Sequence, residues 1–201
     1  MIMYYNPEKN ITISRKQLMK ELDLFIPLGF EEIEGYYLIY VDEKPIITSY
    51  HVLTQNPIKL IDGKYRITYT VSYKPLETLK EMRCNDVTKL FNTISEYAWI
   101  NSSCGFKIDA NEIANRNIEG LIKILKAENK ESEILKDYNN NFQTVTLKDL
   151  EVIQLEIIKN GQHLYNQMWK FINDINSLST QEDVMAYNTT FTNMDFSNDN
   201  K

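Results

Sequence analysis

The chain has 201 residues and 23.7 kDa, enough for one large or two small domains with a buried core, and its 43% hydrophobic and 25% charged residues argue against a mostly disordered polypeptide. Its 22 basic and 28 acidic residues leave a net charge of -6, which removes the cationic field that general nucleic-acid or anionic-lipid binding requires. No apolar run approaches the roughly 18 residues of a membrane span. The opening MIMYYNPEKN lacks the basic start and apolar stretch of a signal peptide, so the expectation is a protein that stays in the compartment that made it. Two cysteines, Cys84 and Cys104, are too few for a disulfide scaffold and fit a reducing compartment.

From Ser14 to Leu24 a cap residue followed by Leu18, Leu22 and Phe25 predicts a short helix, stopped by Pro27 and Gly29. Tyr36 to Val41 has strong strand preference and ends at a turn, Asp42-Glu43-Lys44-Pro45. Ile46 to Leu53 is the expected hairpin partner. After Asp62-Gly63, the alternation of Tyr65, Ile67, Tyr69, Val71 and Tyr73 with polar neighbours predicts one long strand with a buried tyrosine face. Residues 36–73 should then form an antiparallel meander of about three strands.

At Pro75 the hydrophobic period changes from two to 3.6. Leu76, Leu79, Val87, Leu90, Phe91, Ile94 and Ala98 mark a long helix containing Cys84. Asn101 to Gly105 breaks it, Phe106-Lys107-Ile108 suits a short strand, and a second helix runs from Ala110 to Lys126. Residues 127–141, with Asn139, Asn140 and Asn141, read as a polar loop, and Phe142 to Val145 as an edge strand. Thr146 caps a long helix to about Ile175 whose stripe is Leu150, Ile153, Ile157, Leu164, Met168, Phe171 and Ile175. Gly161 leaves open a kink or a split into two helices. A last short helix begins at Ser179 or Thr180, and 188–201 is expected to be a flexible tail. The reading is an α+β fold with two regions. Residues 1–74 form a small antiparallel β-rich region with a short helix, and 75–187 form a helical domain.

The search for chemistry assigns no catalytic, cofactor-binding or metal-binding residue. His51 and His163 read as surface or hydrogen-bonded residues, and neither shares with Cys84 or Cys104 the short spacing of a structural zinc site. Cys104, in Ser102-Ser103-Cys104-Gly105, can be read as a nucleophile with His163 as base, but a small buried residue at a turn is the favoured reading. Glu31, Glu32 and Glu34 read as an exposed acidic turn rather than a glycosidase pair, and the glycine fingerprints of phosphate-binding loops are missing. Of the 13 tyrosines, Tyr65, Tyr69 and Tyr73 are assigned to core packing.

A family resemblance carries the functional reading. Its residues are Lys74-Pro75-Leu76 ahead of a long helix, Gly105-Phe106-Lys107-Ile108-Asp109-Ala110, and Arg116-Asn117-Ile118-Glu119-Gly120-Leu121. They continue with Thr144-Val145-Thr146-Leu147-Lys148-Asp149-Leu150, His163-Leu164-Tyr165, Ile172 to Leu178, and Thr180-Gln181-Glu182-Asp183-Val184. This pattern, covering a little over half the chain, resembles a bacteriophage and prophage domain-of-unknown-function family found in tail-fibre-associated proteins. The chain departs from the family in its longer loop at 127–141 and in lacking a tryptophan before Thr144-Val145-Thr146, with Tyr138 the candidate replacement. The resemblance implies a non-enzymatic tail-fibre assembly chaperone or minor tail component, located in the host cytoplasm or in the virion tail. Its partner would be a tail fibre or other tail protein, with no cofactor, nucleic acid or membrane, and with homo-oligomerisation left open. The alternative is a small phage-encoded effector that binds a host protein.

Overall fold

A computed structural model describes residues 2–198 and divides the chain into two compact units, Met1–Lys74 and Pro75–Lys201. The fold is α+β, strand-rich in the first unit and helical in the second.

In the first unit, β1 (Met3–Asn6) and β2 (Ile11–Ser14) form a hairpin, followed by α1 (Arg15–Leu22), β3 (Glu32–Ile33) and β4 (Tyr36–Val41). Then come β5 (His51–Gln55), β6 (Lys59–Ile61), β7 (Lys64–Ile67) and β8 (Tyr69–Tyr73). A capping box starts α1: the Ser14 Oγ accepts the Gln17 N–H, and the Gln17 side-chain Oε1 accepts the Ser14 N–H. This helix lays Leu18 onto Tyr4, Ile13, Ile26 and Tyr36, which form the unit's small core.

The sheet is not a meander. Its order is β2-β1-β4-β7-β6 with β3 also on β4, and β4 pairs β7 in parallel. The segment after β4 pairs elsewhere: β5 joins β8 as a separate antiparallel ribbon, with His51 opposite Tyr73. The long strand expected at 64–73 is therefore two, broken at Thr68, because its halves hydrogen-bond to different partners. Nor is its tyrosine face core. Tyr65, Tyr69 and Tyr73 are half-buried, with Tyr65 packed edgewise on Tyr5 and against Tyr37. Period-two alternation reports which side chains share a face, and it does not report how deeply the face is covered.

The second unit comprises α2 (Leu76–Glu96), β9 (Trp99–Asn101), β10 (Lys107–Asp109), α3 (Glu112–Glu128), β11 (Ser132–Lys136), β12 (Phe142–Thr146), α4 (Leu147–Ser177) and α5 (Gln181–Ala186). Pro75 opens α2 where no N–H is needed. Asn111 caps α3 by accepting the Ala114 N–H at 2.8 Å. Thr146 and Asp149 form a capping box on α4: the Thr146 N–H donates to Asp149 at 2.9 Å and the Thr146 oxygen accepts the Asp149 N–H. Helix α4 runs unbroken through Gly161, so the segment is one helix and is not split there. Its stripe of Leu150, Ile153, Ile157, Leu164 and Ile175 is buried against α2 and α3, each side chain contributing about 1.5–3 kcal/mol.

Two further expectations are corrected. Residues 127–141 are not a plain loop: β11 pairs β12 from Ser132–Thr146 to Lys136–Phe142, and the asparagines form the hairpin turn around buried Asp137. Residues 188–198, expected as a tail, are packed on the helical unit as a strap; 199–201 lie outside the described residues. Phe191 and Phe196 are buried, and the Thr192 N–H donates to the Gln167 side chain at 3.0 Å. The Met194 N–H donates to fully buried Asn160 at 2.8 Å, and the Phe196 N–H to the Asn101 carbonyl at 2.9 Å. Asparagine side chains that supply backbone-like partners let a polar segment dock without a ladder.

Candidate functional site

Helix α3 begins beside the middle of α4, close to where α2 ends, and the three helices leave an open groove between them. Its cavity measures about 610 Å³, and Phe91, Ala110, Ile157, Leu164 and Tyr165 form much of its apolar wall. The volume falls in the ordinary range of ligand and side-chain pockets. Ile113, Ile158 and Tyr165 line the groove and remain 68%, 52% and 45% exposed, so a continuous apolar surface leads out of it. Trp169, 54% exposed, extends that surface, its ring 5.7 Å from Tyr165, and Phe91 packs 4.6 Å from Tyr165 on the inner side.

Gly161 faces the same groove. A glycine inside a helix costs about 0.5–1 kcal/mol relative to alanine. Here no neighbouring atom lies within 4 Å of the place a Cβ would occupy, so packing does not demand the glycine and its effect is to leave the groove open. Polar groups ring the apolar floor: Asn92, Ser95, Glu96, Asn111, Glu112 and Asn115. The Asn111 amide donates to the Glu96 carbonyl at 3.0 Å, Glu112 pairs with Arg116 at 2.7 Å, and the buried Asn115 Oδ1 has no hydrogen-bond partner. A buried acceptor left unpaired costs about 1–3 kcal/mol, which an incoming donor would recover.

The residues weighed in the sequence are dispersed. His51 shares a 2.8 Å hydrogen bond with Thr48 and stacks on Tyr73 at 4.9 Å. The Cys104 thiol lies 3.9 Å from the Asp149 carbonyl at the start of α4. His163 stands fourteen residues further along that helix, about 21 Å of rise, so it cannot serve Cys104 as a base. Burial pushes both thiols up from their ordinary value, at Cys104 against an opposing hydrogen bond with Ser102, and a thiol held neutral is a poor nucleophile. Glu31 accepts from the Tyr40 hydroxyl at 2.6 Å and pairs with Lys64, which together hold its carboxyl below the usual range. No group of three or more His, Cys, Asp or Glu side chains is placed to hold a metal ion among the described residues.

One buried acid went unnoticed in the sequence. Glu156, 5% exposed, accepts from the Ser102 hydroxyl at 2.6 Å and from the Ser103 N–H and hydroxyl at 3.1 and 2.5 Å. It ties the Ser102-Ser103-Cys104-Gly105 turn to α4, and with Ser102 only 1% exposed this is a structural anchor. The groove itself was also missed. The signal was present in α4 as a second apolar row, Leu155, Ile158, Tyr165 and Trp169, displaced round the helix from the buried stripe. Comparison with family models, curated proteins and solved structures finds no match to this chain.

Proposed function

We propose that the chain is a non-catalytic partner-binding protein, and that it acts on a phage or prophage tail fibre as an assembly chaperone or minor tail component. The observation that supports binding is the open apolar groove of the second unit, continuous with half-exposed Ile158, Tyr165 and Trp169. Contiguous exposed apolar surface beside a formed cavity marks an interaction site in preference to a scatter of single side chains. The tail fibre as partner rests on the resemblance in pattern of residues from about 65 to 187 to the tail-associated family. In this reading the groove covers an apolar segment of the fibre chain until fibre chains pair with one another. On the same resemblance, the work takes place in the host cytoplasm or in the virion tail. Separately, no helix among the described residues is long and apolar enough to cross a membrane.

Co-expression with a phage tail-fibre chain tests the proposal. The expected result is a stable complex and a higher yield of soluble, assembled fibre, both reduced by Tyr165→Ala. Fibre that assembles equally well without the protein and does not co-purify with it would reject the tail-fibre role and return the effector alternative to first place.

A further inference from the structure

Resting on that partner-binding reading, we infer that the groove docks a basic amphipathic helix of the partner. The apolar floor accepts any apolar side chain, so the polar groups decide the partner's chemistry, and they are weighted toward acceptors. Asn115 Oδ1 is buried without a donor, and the Glu96 carboxylate stands at the last turn of α2, where the carbonyl end of the helix adds negative partial charge. Glu112 offsets the opposite dipole at the start of α3, and its partner Arg116 is largely exposed. Among the described residues no Lys, Arg or His lines the cavity.

Above the rim, the half-exposed rings of Tyr165 and Trp169 carry no cation of the chain's own among the described residues. The Trp99 and Tyr138 rings, by contrast, hold the Lys107 ammonium at 3.4 and 3.9 Å. Half-exposed rings leading out of a cavity that also holds two carboxylates and an unpaired acceptor complement a lysine or arginine. The apolar row from Leu155 to Trp169 spans about 21 Å along α4, roughly twice the 10.5 Å between anchors i and i+7 of a helix, so it has room for a partner helix of about four turns and far exceeds a small cation. A second copy of the chain would bring the same acidic surface to the site, since the net charge of -6 falls wholly on the second unit.

The test uses two fluorescein-labelled helical peptides with one leucine face, the first with lysine at every other position and the second with glutamate there. Each is titrated with the full-length protein by anisotropy. The basic peptide is expected to bind about tenfold tighter than the acidic one, with the preference shrinking as salt rises. Glu96→Gln with Glu112→Gln should bring the two peptides toward parity, and Gly161→Leu, which fills the groove, should abolish both. Tyr165→Ala replaces Gly161→Leu if that variant loses its circular dichroism. Equal or tighter binding of the acidic peptide, or basic-peptide binding undiminished in folded groove variants, overturns the inference. Fibre capture that is sensitive to Tyr165→Ala without a basic preference would sink this inference alone, and a basic preference without fibre capture would sink the tail-fibre role alone.

Discussion

The two units distribute their apolar residues in opposite ways. Among the described residues the first buries six apolar side chains and exposes twelve large ones, from Ile11 to Val71, whereas the second buries nineteen and exposes eleven. Their charges differ as well: the first unit holds nine basic and nine acidic residues, so it is neutral. Long helices give the second unit its advantage, because α2, α3 and α4 each turn a full stripe toward the others, while two-to-six-residue strands have few inward positions to offer. In the first unit much of the holding falls to polar and aromatic contacts outside the core. Examples are Arg15 donating to the Ile26 carbonyl at 2.7 Å, the Arg66–Asp42 pair at 2.9 Å, and the Tyr5, Tyr37 and Tyr65 rings. The lesson is that fold class does not set core size; element length does.

The strongest challenge to this contrast is a buried charge placed in each core. Leu164→Asp is expected to cost about 4 kcal/mol or more and to remove most of the helical circular dichroism, since Leu164 is 1% exposed on α4. Leu18→Asp, at a fully buried position in the first unit, should leave most of that signal in place. Equal loss from both changes would show that the two cores do not stand independently.

Glu156→Leu comes next, expected to lower stability by about 2 kcal/mol in a denaturant melt because it strands the Ser102 and Ser103 donors. An unchanged midpoint would show that the turn at 102–105 is held by something else.

Acid should loosen the second unit at identifiable places. The Gln143 amide, with the Asn141 and Asn139 N–H groups, holds Asp137 below its ordinary value, and the Thr146 N–H and hydroxyl do the same for Asp149. A depressed folded-state value gives stabilisation that is complete above the ordinary aspartate value of 3.8 and is lost as pH falls through the lower one. The β11–β12 hairpin and the first turn of α4 should therefore loosen only below about pH 4. Residue-resolved NMR across that range checks this, and Asp137→Asn should uncouple the hairpin from pH.

The smallest effect expected has the opposite sign. Gly161→Ala should stabilise α4 by about 0.5–1 kcal/mol while narrowing the groove, so a raised melting temperature should accompany weaker partner binding. A lowered melting temperature would mean that the glycine serves the helix itself.

The α+β class, the helix start at Thr146, a last short helix capped at Ser179 or Thr180, of which the structure selects Thr180, and the buried stripe of α4 were legible because they depend on local periodicity and caps. Strand pairing in the first unit was not. His51 lies opposite Tyr73 and Ile39 opposite Tyr65, and nothing in an alternating pattern chooses a partner at that separation. The strap escaped notice for a related reason: two isolated aromatics, Phe191 and Phe196, carry its apolar burial, and its other ties are hydrogen bonds to residues on α4 and β9. The groove is a product of three helices converging, so Gly161 looked like an interruption until α2 and α3 stood beside it.

The strap also bears on the order of events in time. Asn101 and Asp195 bridge in parallel across most of the second unit, yet closing a loop costs little more as it lengthens, and packing of α2 against α4 has already brought its ends together. Docking can therefore follow helix assembly as a separate, reversible step on a finished surface. Its amide hydrogens at Thr192, Met194 and Phe196 each rely on one acceptor, so they should exchange with solvent together and well before those in the middle of α4. Each such opening would uncover part of the Phe91 and Phe171 rings, on which Phe191 packs at 6.2 and 5.1 Å, and so give the unit a second apolar face.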